Sequence, residues 1–168
     1  QAGHTARRRA ALSARFPGER LVVPAGNLKT RSNDTEYPFR ASVEYAYLTG
    51  NLTEDGVLVL EPVADGHRAT IYLLPRSNRE NGEFWLSGQG ELWVGRRHSL
   101  TEAEQLYGIP ASDVRELPGA LKEATGPVRV VRGYDAAIEA ALTDKVTLER
   151  DEELRVFGPT VPALDEAD

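Results

Sequence analysis

Val57-Leu-Val-Leu-Glu-Pro-Val-Ala-Asp-Gly-His-Arg-Ala-Thr-Ile-Tyr-Leu-Leu74 is the stretch on which the fold turns. Val57 to Leu60 is a short, fully apolar run, the pattern of a strand covered on both faces. Glu61-Pro62 closes it, and Asp65-Gly66 are turn residues. Ala69–Leu74 then predicts the second strand of a hairpin, ended by Pro75. Upstream, Leu21-Val22-Val23 repeats the pattern of a doubly covered strand. Between these runs lies Thr30-Arg-Ser-Asn-Asp-Thr-Glu-Tyr-Pro-Phe-Arg40, a charge-balanced polar loop studded with aromatics. Loops of this kind are held by their own hydrogen bonds and often face a partner or substrate. Arg31, Asp34 and Arg40 are therefore candidates for an interface or for ion pairs.

Working outward, Tyr45–Thr49 predicts a strand, with Gly50 to Gly56 as its turn. Thr5 predicts an N-cap for a helix over 6–16, stopped by Pro17-Gly18; Arg7, Arg8 and Arg9 read as a solvated face, with a phosphate-binding patch as the alternative. After Pro75 a helix is expected over 79–86, carrying Phe84 and Trp85, and Glu91–Arg97 predicts an edge strand. Ser99 and Glu102 have capping-box spacing, so a helix should span 100–107 and end at Gly108. A further helix is expected between Asp113 and Ala124, then a strand at Val128–Val131 and an alanine-rich helix over Asp135–Leu142. Strands come first and then alternate with helices. That order predicts an α/β fold, a mixed β-sheet flanked by helices.

The 168 residues, 40% of them hydrophobic, suffice for one sizeable core. No apolar run reaches the length of a membrane span, and the N-terminus does not read as a signal peptide. With no cysteine, disulfides and thiolate metal sites are excluded, which suits a reducing cytoplasm. Twenty basic residues against 26 acidic ones give a net charge of −6, which argues against nucleic acid as a partner. There is no methionine, not even at position 1. We therefore expect a piece of a longer protein, with a domain over residues 1–158 and a linker over 159–168 leading to a missing partner domain.

Catalytic groups are sparse. His4, His67 and His98 lack a companion at metal-ligand spacing and read as surface histidines. No serine sits in a nucleophile elbow, and Gly88-Gln-Gly90 reads as a turn rather than a phosphate loop. The chain by itself is expected to be inactive, with no catalytic and no metal-binding residue. Trp93 is the most informative single residue. In the expected strand Leu92 and Val94 would face the core and Trp93 the other side. It is then either roofed by a helix or an exposed anchor for a partner or ligand. Arg96 and Arg97 can grip a carboxylate bidentately or form internal or intersubunit ion pairs.

Arg7-Arg-Arg9, Thr30–Arg40, Ser42-Val-Glu-Tyr-Ala-Tyr-Leu-Thr-Gly50 and Glu91-Leu-Trp-Val-Gly-Arg-Arg97, in that order, resemble the N-terminal domain of the Xaa-Pro aminopeptidases, in the creatinase/prolidase group. Glu44-Tyr45 departs from the group's more usual Asp-Phe, and Asn81–Gly90 looks like an insertion. The resemblance implies a ribonuclease-H-like α/β unit that supports oligomerisation and borders a neighbouring active site, with Trp93 as the substrate-bordering residue. It implies a parent that removes an N-terminal residue ahead of proline from peptides. Two divalent metals, commonly Mn(II), would lie on Asp, Asp, His, Glu and Glu of a C-terminal "pita-bread" domain outside this chain. The alternative is a peptide- or histone-binding module of an inactive relative.

Overall fold

A computed structural model of the chain describes residues 2–32, 35–77, 79, 80, 82–86, 90–123 and 125–142. The expected hairpin is its centre: β4 (Val57–Val63) pairs antiparallel with β5 (Gly66–Leu73) from Val57↔Tyr72 to Val63↔Gly66. On the other side of β4 lies β1 (Arg20–Pro24), antiparallel, and beyond it β7 (Val128–Val130), parallel to β1. A three-residue strand, β6 (Ala111–Asp113), pairs parallel with β5 and completes the order β6-β5-β4-β1-β7. The mixed sheet flanked by helices is thus as the sequence predicts. Polar Ala-Ser-Asp carries no strand pattern of its own, and β6 was not expected.

Alternation along the two central strands builds two cores. Leu21, Val23, Leu58 and Leu60 point to one face, where Leu12, Tyr45, Leu48, Ala103 and Ile109 cover them. Val22, Val57 and Val59 point to the other, under Leu117, Leu121, Ile138 and Leu142. The first cover comes from α1 (Ala2–Ser13), α2 (Val43–Thr49) and α5 (Leu100–Tyr107). The second comes from α6 (Leu117–Glu123) and α7 (Ala136–Leu142). Burial on both faces is why these strands read as unbroken apolar runs.

Several expectations need correction. Tyr45–Thr49 is helical, not a strand. Ser42 caps α2 by accepting the Tyr45 N–H at 3.2 Å, and Gly50 (φ 73°) takes the left-handed turn that ends it. Tyr45, Tyr47, Leu48 and Thr49 are all buried, and so short an apolar, aromatic run does not by itself distinguish helix from strand. The first helix starts at Ala2, and Thr5 lies inside it, its hydroxyl donating to the Ala2 carbonyl at 3.0 Å. Its arginines are not all solvated: Arg9 is buried and donates to the Leu48 carbonyl at 2.8 Å. Arg8 lies 3.9 Å from the centre of the Tyr47 ring. Two guanidiniums thus meet the C-terminal carbonyl end of α2, where cations are favoured.

In the second half, α5 and its complete capping box match expectation, with Gly108 at its end. The expected 113–124 helix is a single tight turn, Val114–Glu116, running into α6; Ala124 lies outside the described residues. Helix 79–86 shrinks to α3 (Glu83–Leu86). The strand expected at Glu91–Arg97 is one helical turn, α4 (Glu91–Val94). A second sheet, β2 (Thr30–Ser32) with β3 (Thr35–Glu36), forms an exposed hairpin within the polar loop. The domain boundary expected at 158/159 and the linker fall outside the described residues.

Candidate functional site

Between β5 and α5 the described residues of 74–99 form a lobe whose construction rests on one buried carboxylate. Glu91, 6% exposed, accepts the Ser77 N–H at 3.0 Å, the Ser77 hydroxyl at 2.7 Å and the Arg97 N–H at 2.6 Å. Burial pushes its carboxyl up, but the hydrogen bonds from Ser77 and Arg97 outweigh it and hold the group below the ordinary range. Both ends of the lobe are thereby pinned to one side chain. The Arg76 N–H adds a bond to the His98 carbonyl at 3.0 Å, and its Nε one to the Arg97 carbonyl at 3.1 Å.

Glu102 is the second anchor. Its carboxylate completes the cap of α5 by accepting the Ser99 N–H at 2.8 Å, and it also pairs with Arg76 and, at 2.9 Å, with Arg96. The hydrogen bond from Arg76 and that from Ser99 bring its pKa down to about 2. The cap is visible in the sequence; the two arginine partners are not, because tertiary packing supplies them.

Between these anchors α4 turns outward. Gly95, at φ 90° and ψ 173°, reverses the chain in a conformation L-residues rarely adopt. Leu92 and Val94 are each 49% exposed rather than facing the core, and Trp93 is 72% exposed. Trp85 is also half exposed, its Nε1 donating to the Arg79 carbonyl at 3.1 Å. The lobe therefore presents an apolar, aromatic surface on a rigid base.

Two clefts flank it. One, of about 220 Å³, separates Asn51, Thr53 and Asp55 from Val94, Arg97 and His98 over a floor that includes Leu73 and Ala103. Asp55 holds a positive φ of 58° and accepts from Asn27 Nδ2 at 2.8 Å; burial raises its pKa. Asn27 also donates to Asp135 at 3.2 Å, and Asp135 in turn caps α7. The other cleft, of about 660 Å³, is lined by Arg76, Ser77, Arg79, Glu80, Phe84, Glu91 and Arg96.

Of the residues singled out from sequence, Trp93, Arg96 and Arg97 come together on this lobe. Arg31 and Arg40 are exposed on the arm between β1 and α2, and Asp34 lies outside the described residues. Glu91, Arg76, Arg79 and Asp55 were not singled out. Only the buried position of Glu91 or the pairing of Arg76 in space would have exposed them. Among the described residues no three His, Asp or Glu side chains converge as a metal site would need.

Residues 5–131 match the family described as "Aminopeptidase P, N-terminal domain". The chain is 87% identical over 157 residues to Xaa-Pro aminopeptidase 1 of Streptomyces coelicolor, covering 94% of this chain and 32% of that protein. With Xaa-Pro aminopeptidase 2 of the same organism, identity is 54% over 156 residues, 92% of this chain and 33% of the other. Among solved structures, Escherichia coli aminopeptidase P with the inhibitor Pro-Leu superposes with a TM-score of 0.72 at 26% identity, over 85% of this chain and 32% of that one. The chain spans about a third of the length of the relatives it matches.

Proposed function

This chain belongs to the aminopeptidase P N-terminal domain family, and from that membership we propose that its parent is a Xaa-Pro aminopeptidase in which this module supplies a wall of the substrate site. The parent releases the residue ahead of proline. An X-Pro bond offers no N–H and presents a rigid ring, so recognition must rest on shape and apolar contact. The observation that carries the reading is Trp93: a 72% exposed indole, held out from a turn whose two flanks are fixed by the buried Glu91. Exposed tryptophans on rigid supports make effective anchors.

Two Mn(II) ions supply the hydrolytic chemistry in this reading. The family resemblance assigns them to Asp, Asp, His, Glu and Glu of a C-terminal domain of the parent. What this chain contributes is orientation and exclusion of water on one side of the peptide. Association into oligomers and a cytoplasmic setting complete the proposal.

The test is Trp93→Ala in the full-length parent. Loss of one aromatic contact, about 0.5–1.5 kcal/mol, should lower kcat/KM for longer Xaa-Pro peptides several-fold. The melting temperature should stay put, since Trp93 covers no core. Unchanged kinetics with a large loss of stability would overturn the assignment.

A further inference from the structure

We propose that the larger cleft, lined by Arg76, Arg79, Arg96 and Phe84, is a carboxylate-binding subsite for the peptide that passes Trp93. The inference rests on the reading of Trp93 as a substrate wall. The ligand is a carboxylate of that peptide, either its free C-terminus or an acidic side chain.

Three observations carry it. The first is charge placement. In a chain of net charge −6, three guanidiniums line one cleft of about 660 Å³, within the size range of ligand pockets. The two carboxylates that share the lining do not cancel them. Glu91 is buried and turned to the N–H groups of Ser77 and Arg97, and the solvent-exposed Glu80 is one carboxylate against three guanidiniums.

The second is what the arginines have left to donate. A guanidinium carries five N–H donors in a planar fork. Glu102 is one carboxylate shared by two arginines, Arg76 and Arg96, and Arg96 is 71% exposed. Arg79 lies over the Phe84 ring, 4.9 Å from its centre, and among the described residues it pairs with no carboxylate. A stacked guanidinium keeps its edge free and pre-oriented for a bidentate acceptor. The third is position. Glu91 opens the helix that carries Trp93 and Arg96 follows the turn that closes it, so the cleft adjoins the Trp93 support.

The experiment uses the full-length parent and Xaa-Pro peptides of equal length in three forms: free acid, C-terminal amide, and amide with one Asp or Glu after the proline. At low salt the free acid should exceed the plain amide in kcat/KM by about 3- to 10-fold, between the worth of an exposed ion pair and a charge-assisted fork. The preference should sit in KM and shrink as salt screens it. Arg79→Ala with Arg96→Ala should bring the ratio to about one, and Arg79→Lys should keep part of it. Should the double variant melt early, Arg79→Ala alone, whose side chain among the described residues contacts the Phe84 ring, gives the answer. Rate recovery by the acidic amide identifies a side-chain ligand; recovery by the free acid alone identifies the terminus. Equal rates for all three peptides in the unmodified enzyme, or a ratio unmoved in the arginine variants, would overturn the proposal. Trp93→Ala should lower all forms by a common factor and leave the ratio intact. A ratio that persists while Trp93→Ala changes nothing would sink the substrate-wall reading and leave the subsite standing.

Discussion

A tightly packed spot lies where Tyr45 meets Gly56. The phenol is fully buried, and its hydroxyl has no hydrogen-bond partner among the described residues; burial pushes its pKa up. A Cβ added at Gly56 would stand 2.2 Å from that oxygen and 2.8 Å from the ring carbon bearing it. An unsatisfied buried hydroxyl costs about 1–3 kcal/mol, so Tyr45→Phe should raise the urea midpoint. Gly56→Ala should lower it by about 1–3 kcal/mol through overpacking, and by less in the Tyr45→Phe background. A fully additive double variant would show that the two residues do not press on each other.

For the elements, the lobe is the part whose stability follows pH. Glu91 and Glu102 both have carboxyl pKa values held below their ordinary 4.5, Glu102 at about 2. A depressed carboxylate stabilises the fold above its unfolded value and loses that contribution as pH falls through the folded one. Lobe stability should therefore decline between pH 4.5 and about 2 in the intact chain, and Glu102→Gln should flatten that slope. Amide exchange at Ser77 and Arg97 is the measurement, with the β4 amides as the steady reference. Glu91→Ala leaves three donors without their acceptor and should cost more than about 2 kcal/mol. The capping box of α5 and the β4–β5 hairpin were legible because their signals are local: Ser99 with Glu102, Asp65-Gly66 between apolar runs. Helices α2 and α4 were not, although Ser42 and Gly50 flank the first and Gly90 and Gly95 the second. Over five to seven residues helical and strand spacing overlap, and aromatic and β-branched residues tipped both readings toward strand. Trp93 stood out as a site residue by its type. Arg76 and Arg79 look like any surface arginine until the fold brings Arg76 to Glu102 and Arg79 over the Phe84 ring.

Across the whole molecule, the two cores share one set of strands, since neighbouring residues of β1 and β4 face opposite sides. Damage to either core should then be felt by both. Leu58→Ala on one face and Leu121→Ala on the other should each cost about 2–5 kcal/mol and shift one common unfolding transition in circular dichroism. Two separable transitions, each answering to one substitution, would mean the faces fold independently. Against this rigid body the lobe is distinctive in another way. Trp85 and Trp93 are the only tryptophans in the sequence, and both stand on it, half exposed or more. Intrinsic tryptophan fluorescence of the chain thus reports on the lobe rather than on the sheet. Emission intensity and iodide quenching can therefore test, without any added label, whether a peptide reaches that surface.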